Sequence, residues 1–285
     1  MRLFFGSCSR LRGSCLRRLA CTPVLLLCIS HSALFAAPSN AREQSLPVQG
    51  GLTRILLPED RLLLDWSTYQ SDENGSFERT STVRAIGEYA FASYASVFAS
   101  IPYTRRMDPD EGKREHLDTA SLGLRLGTRL GRSFYPAAAL EIGFATGNQD
   151  RGIGHKRLGF MEPRLGFIWA PAGARWFYLA TAFRWQSQTN SRFRETETER
   201  FERTWFWEAE TGLRLDDLDL YFEFQRKGRI RPDDNRLHAS TLAPGLRFRP
   251  DPAFHISVAV PLSMASEREF ERGIIVRATL RPGLW

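Results

Sequence analysis

From Arg61 onward the chain alternates apolar and polar residues with period two, the spacing of strands that show one face to an apolar phase and the other to a polar one. In WFYLATAFRWQSQ, Phe177, Leu179, Thr181, Phe183 and Trp185 share one face, while Tyr178, Ala180, Ala182, Arg184 and Gln186 share the other. LDLYFEFQRK sets Leu218, Leu220, Phe222 and Phe224 against Asp219, Tyr221, Glu223 and Gln225. AFHISVAVPLSM repeats the pattern from Phe254 to Met264, and helical spacing is absent. The alternation predicts twelve strands, over 60–69, 80–90, 95–105, 118–130, 135–147, 157–170, 176–188, 204–215, 218–229, 239–250, 253–264 and 273–285. Each has about the length that a tilted strand needs to cross a bilayer.

The connections sort by length. FASY, GRSF, PAGAR, DD and DP are tight-turn compositions. Between them fall the polar stretches QSDENGSFER, MDPDEGKREHL, NQDRGIGHK, TNSRFRETETERFER, IRPDDNRLH and ASEREFER. Short turns alternating with longer loops predict an all-β, transmembrane, antiparallel up-and-down β-barrel of about twelve strands. The short turns and both termini are then periplasmic and the longer loops extracellular. A soluble sandwich has no reason to sort its loops this way.

Tryptophans gather where strands would meet the two membrane faces. Trp169 and Trp176 flank PAGAR, and Trp185, Trp205 and Trp207 flank the loop of 189–203, as an interfacial aromatic belt requires. Pro102, Pro163, Pro244 and Pro261 fall inside predicted strands. A closed barrel has no edge to host them, so bulges or displaced boundaries are required there.

With the polar face inward, the lumen is lined by Asp65, Arg84, Glu88, Arg125, Arg129, Glu141, Arg164, Arg184, Glu208, Glu210, Arg214, Asp219, Glu223, Lys227, Arg247, Arg249, Arg277 and Arg281. Seven acids face eleven bases, nearly all arginine. An outward arginine or lysine would cost about 2–4 kcal/mol at the bilayer midplane, which supports the inward assignment.

Composition enters through the N-terminus. Residues 1–41 hold five arginines and no acid, then the apolar run TPVLLLCIS and the small residues AAPSNA, the pattern of a cleaved secretory signal peptide. Residues 42–59 then form a periplasmic lead-in or partial plug, and 60–285 the barrel. Without those five arginines the formal charge of +7 becomes +2, so the basic balance belongs to the export signal and gives no reason to expect a nucleic-acid partner. Cys8, Cys15, Cys21 and Cys28 all lie in the same segment, leaving about 244 mature residues with no thiol for a disulfide, a nucleophile or a metal site. No metal site or cofactor is expected.

The segment TLAPGLRFRPDPAFHISVAVPLSMASEREFERGIIVRATL, with SIPYTRR, LGLRLGTRL and IGFATGNQDRGIG, resembles the outer-membrane proteins of the MetA-pathway-of-phenol-degradation family. The likeness covers roughly residues 80–281. Ala145 stands where the family has a proline. The resemblance implies a gram-negative outer-membrane barrel of transporter type. It also implies that the terminal aromatic of GIIVRATLRPGLW, Trp285, is a signal to the barrel assembly machinery.

These readings make the chain a passive path for small solutes, anionic or aromatic, in the cell outer membrane, with outer-membrane lipid and lipopolysaccharide as surroundings. The competing reading is a closed barrel filled by cross-strand ion pairs, acting through its loops. An enzyme is not expected. His255 and Ser257 share a strand face, but Val258 and Ala259 follow where outer-membrane phospholipases carry His-x-Ser-Asn-Gly. Glu208 and Glu210 have the form of an acid/base dyad or calcium site, though ion pairing with neighbouring arginines explains them better.

Overall fold

The structure, a computed structural model, describes residues 57–73, 76–108, 112–144, 146, 158–174, 176–190, 203–230, 236–264 and 270–282. Residues 1–56 and 283–285 fall outside them, and with them the signal peptide, most of the lead-in and Trp285. The described residues form strands β1 (Arg61–Glu73), β2 (Ser76–Ala92), β3 (Ala95–Asp108), β4 (Gly112–Leu117), β5 (Ser121–Gly127), β6 (Phe134–Gly143) and β7 (Leu158–Trp169). They continue as β8 (Phe177–Asn190), β9 (Arg203–Leu215), β10 (Leu218–Ile230), β11 (Arg236–Asp251), β12 (Phe254–Ala259), β13 (Leu262–Ser263) and β14 (Arg272–Leu280).

Neighbouring staves pair antiparallel, and β1 pairs with β14, which closes the sheet into a barrel. It has the expected twelve staves, because β4 with β5 and β12 with β13 each make one interrupted stave. Closure leaves no unpaired edge, the condition for burying a sheet in lipid.

The interruptions explain the prolines. Asp118 to Ala120 separate β4 from β5 opposite Pro102, and Asp118 N–H donates to the Pro102 carbonyl at 3.0 Å. The register on either side requires one extra residue there, a bulge. Pro244 faces the break between β12 and β13, where Val260 N–H donates to its carbonyl and Pro261 itself lies. Around Pro163 the pairing of β7 with β8 skips two positions without changing register. Each ring sits where the ladder has no donor to lose.

Five tight connections lie at one end, the turn end: 93–94, 128–133, 170–176, 216–217 and 252–253. Asp216 adopts φ 49°, the left-handed geometry of a two-residue hairpin turn. At the other end, the loop end, two expected loops are corrected. QSDENGSFER and MDPDEGKREHL are mostly strand, since β1 and β2 run on to 73 and 76 and β3 and β4 to 108 and 112. Their alternating pattern continues beyond the apolar zone, and paired backbone groups leave the polar side chains free to be solvated.

The sheet is inverted relative to a soluble protein. Leu64, Leu122, Leu165, Phe222, Leu246 and Phe248 are exposed on the outer face, Leu165 to 67%, while charged side chains are buried within. An exposed apolar surface of this extent marks a membrane-facing band.

Candidate functional site

The buried face carries a lattice of ion pairs. Ser121 and Arg164 both donate to Glu141, and Arg164 also reaches Glu162 at 2.6 Å. Arg184 takes Glu162 at 3.0 Å and Glu208 at 2.6 Å, and Gln225 donates to Glu208 at 3.0 Å. The chain of charge runs from β6 to β9, alternating in sign, and neutral Gln225 extends it to β10. Glu88 binds Arg61 at 2.7 Å, Ser96 and Arg125, linking β1, β2, β3 and β5. At the closure seam Arg277 grips Asp65 with two bonds of 2.5 and 3.0 Å.

Arg247 is the densest node. Its fork donates to Glu210 at 3.0 Å, Asp219 at 3.1 Å and the Tyr178 hydroxyl at 3.2 Å, and its exposure is 0%. Tyr178 donates to Glu210 at 2.5 Å, and Arg249 reaches Asp219 at 2.7 Å. Glu208 and Glu210 thus serve separate arginines rather than one shared ligand.

The remaining lining candidates sit at different depths. Glu223 is fully buried and lies within electrostatic reach of Arg277. Arg84 is half-buried directly opposite Asp65, and Arg214 lies near Asp219 and Arg249. Lys227 sits 5.9 Å from the Phe206 ring centre. Arg129 departs from its expected place: it is exposed past the end of β5, donates to the Gly131 carbonyl, and stands 5.8 Å from the Tyr135 ring. The strand stops at Gly127, so the alternation that put Arg129 inside no longer applies.

Two features were missed in the sequence. Glu162 shares a strand face with Arg164 within the expected strand 157–170, so the alternation itself places it inward beside that arginine. The second is Gly-Leu-Arg, three times: at 123–125, 212–214 and 245–247. A Cβ on Gly212 would come within 2.3 Å of the Tyr178 ring, and one on Gly245 within 2.3 Å of the Tyr221 ring. Each aromatic lies flat on a cross-strand glycine, and Arg125 and Arg247 stack over Phe98 at 4.7 Å and Tyr221 at 5.0 Å. Cation–π contacts of this kind contribute about 0.5–2 kcal/mol when desolvated.

The turn end is crossed by the segment that precedes β1. Arg61 donates to the Leu57 carbonyl at 2.8 Å, Ala90 N–H to Asp60 at 2.8 Å, and Arg281 pairs with Glu59 at 2.9 Å. Leu57 packs on the cluster of Tyr135, Ile168, Ala180 and Ala182, and its Cδ2 with Pro58 fills the space over Gly127. The segment therefore runs from β1 over the turn end of the lumen to the end of β5 and the cluster carried by β6, β7 and β8. Residues 57–59, expected as lead-in or partial plug, lie across this part of the lumen as a crossbar.

The belt tryptophans lie on the outer face. Trp169 and Trp176 pack edge-on to Phe177, and Trp207 on Phe224 at 5.4 Å. Trp185 and Trp205 are cross-strand partners. His255 and Ser257 are 1% and 2% exposed, and His255 Nε2 has no hydrogen-bond partner among the described residues. A lipid-cleaving pair must meet lipid, and these two face inward among Arg281, Arg247, Arg277 and Arg249.

No family model matches the sequence, and no curated protein does. Solved structures share the fold. The COG4313 outer membrane channel from Pseudomonas putida F1 aligns with TM-score 0.65 at 11% identity, over 82% of this chain and 99% of that one. The β domain of the Bordetella autotransporter BrkA aligns at 0.55 and 11%, over 78% and 98%, and the NanC porin at 0.50 and 9%, over 77% and 98%. At identities this low the likeness shows the barrel architecture alone, an architecture that these three use as a channel, an autotransporter domain and a porin.

Proposed function

We propose that this chain is a narrow passive channel of the gram-negative outer membrane for small polar or anionic solutes. It is held shut at rest by its ion-pair lattice and by the Leu57–Arg61 crossbar. In this reading residues 1–41 are removed on export and the turn end is periplasmic. The observation that carries the proposal is the ionised inner face. Replacing buried ion pairs by apolar residues of like volume is often neutral or stabilising by about 1–4 kcal/mol, so stability alone gives no reason to fill a barrel with arginine and carboxylate. A charged wall does suit a water path, where an excess of arginine favours anions.

The lattice can open without breaking the sheet, because its bonds join side chains while the wall is held by backbone pairs. The outer-membrane channel with the same fold is consistent with this reading, and the resemblance to the MetA-pathway family adds aromatic carboxylates to the solutes worth testing.

A second reading has its own support. Arg247, Glu208, Glu210 and Glu223 are 0% exposed, which favours a barrel that stays closed and works through its loops. Planar-bilayer recording and liposome uptake of small carboxylates separate the two. The channel reading expects a small anion-selective conductance that rises severalfold in Leu57→Ser. Silence from both proteins, with no solute uptake, overturns it in favour of the closed barrel.

A further inference from the structure

The strand register lines up a row of outward side chains across five strands near the loop end. Arg272 pairs with Gln70, Gln70 with Arg79, Arg79 with Met107 and Met107 with Lys113. Neighbouring strands lie about 4.8 Å apart, so the row spans about 19 Å. One row nearer the membrane, Arg105 stands opposite Glu115. One row further, Trp66, Val83, Tyr103 and Leu117 are aligned and exposed, the start of the apolar band. Four residues along a strand tilted near 40° place each upper residue about 10 Å above the apolar row on its own strand, and the same tilt slants the row by about 12 Å from end to end, so it crosses the band of lipid head groups obliquely.

Arg79, Arg105, Lys113 and Arg272 are all exposed. Arg79 spends its Nε on the Thr68 hydroxyl at 3.2 Å, and Arg272 its Nε on the Gln70 side-chain oxygen at 3.0 Å. Both partners are neutral, so these bonds orient the guanidinium groups without cancelling their charge. Among the described residues the carboxylate in the patch is Glu115, held by Lys113 at 2.6 Å. Four cations against one acid, set beyond an apolar row, form a surface complementary to phosphate carried at membrane height.

We propose that this patch on β14, β1, β2, β3 and β4 binds the phosphate groups of the outer-leaflet glycolipid, the lipid A of lipopolysaccharide. The proposal rests on the outer-membrane reading above, with the loop end outside. Guanidinium groups offer paired donors to phosphate, and their aliphatic stems cover the apolar edge below.

The test is native mass spectrometry of the detergent-folded full barrel, titrated with bis-phosphorylated and with monophosphoryl lipid A. R79Q/R105Q/R272Q is compared with wild type and with R203Q/R226Q, which removes two exposed cations elsewhere near the loop end. The expected result is that wild type prefers the bis-phosphorylated lipid and the triple variant binds it on the order of a hundredfold more weakly. The double variant should bind like wild type. Equal binding by the triple variant, an equal loss in the double variant, or no lipid A bound by wild type overturns the proposal. Cell fractionation and heat-modifiable gel mobility run alongside: a folded wild type absent from the outer membrane refutes the location, whereas correct location with unchanged lipid binding refutes this surface alone.

Discussion

The seam pair Asp65–Arg277 offers a direct measure of what the lattice contributes. It joins the first and last strands, and both residues are nearly sealed, at 9% and 4% exposure. Arg277→Met leaves Asp65 charged and without its two donors, and also withdraws a cation within electrostatic reach of Glu223. Breaking a buried pair this way costs about 3–5 kcal/mol, or two to three and a half decades in the folding equilibrium. Asp65→Asn is milder. Its amide oxygen can still accept from Arg277, and Arg277 keeps Glu223 in reach, so the loss should be about 1.5–3 kcal/mol, that of a charged hydrogen bond. The double variant D65N/R277M should lose less than the sum of the two, with a coupling of at least about 1 kcal/mol. The assay is urea unfolding in phospholipid vesicles, followed by tryptophan fluorescence and gel mobility. A loss below about 1 kcal/mol for Arg277→Met, or simple additivity, would mean that water already solvates the pair and that the lattice does not hold the lumen shut.

Other consequences can be checked in the same system. Gly212→Ala drives a methyl into the Tyr178 ring and disturbs its bond to Glu210, so unfolding should be easier by about 1–3 kcal/mol, and Tyr178→Ala in the same chain should relieve the clash while losing the bond. Leu165→Arg, on the most exposed outward leucine, should weaken folding into bilayers by about 2–4 kcal/mol and have far less effect in detergent. Arg247→Met should uncover Glu210 and Asp219, but each keeps a partner in Tyr178 or Arg249, so its cost should fall at or below the loss in Arg277→Met. If Arg247→Met unfolds the barrel outright while Arg277→Met does not, the dominant node has been misplaced.

The architecture was legible in the sequence because alternation is local. A strand of period two decides, residue by residue, which side chains can share a face, and the lipid phase makes the apolar face the outer one. That is why Asp65, Arg184, Glu208 and Arg277 could be placed inward, and why the short turns at 93–94, 216–217 and 252–253 could be read from their composition. The prolines were legible as a problem, though the answer was not: only the partner strand shows that Pro102 faces a bulge or that Pro244 faces the break at Val260.

Tertiary structure alone decided which charges meet. Arg125 reaches Glu88 from thirty-seven residues away, and Arg277 reaches Asp65 across two hundred and twelve, distances set by strand register and barrel closure rather than by any local pattern. The three Gly-Leu-Arg steps acquire meaning only when Phe98, Tyr178 and Tyr221 lie over their glycines. Leu57 becomes a crossbar only because closure sets the cluster on β6, β7 and β8 across the lumen from β1. A sequence specifies faces through the geometry of one strand, whereas contacts across a lumen depend on how twelve of them close, and that is a property of the whole sheet.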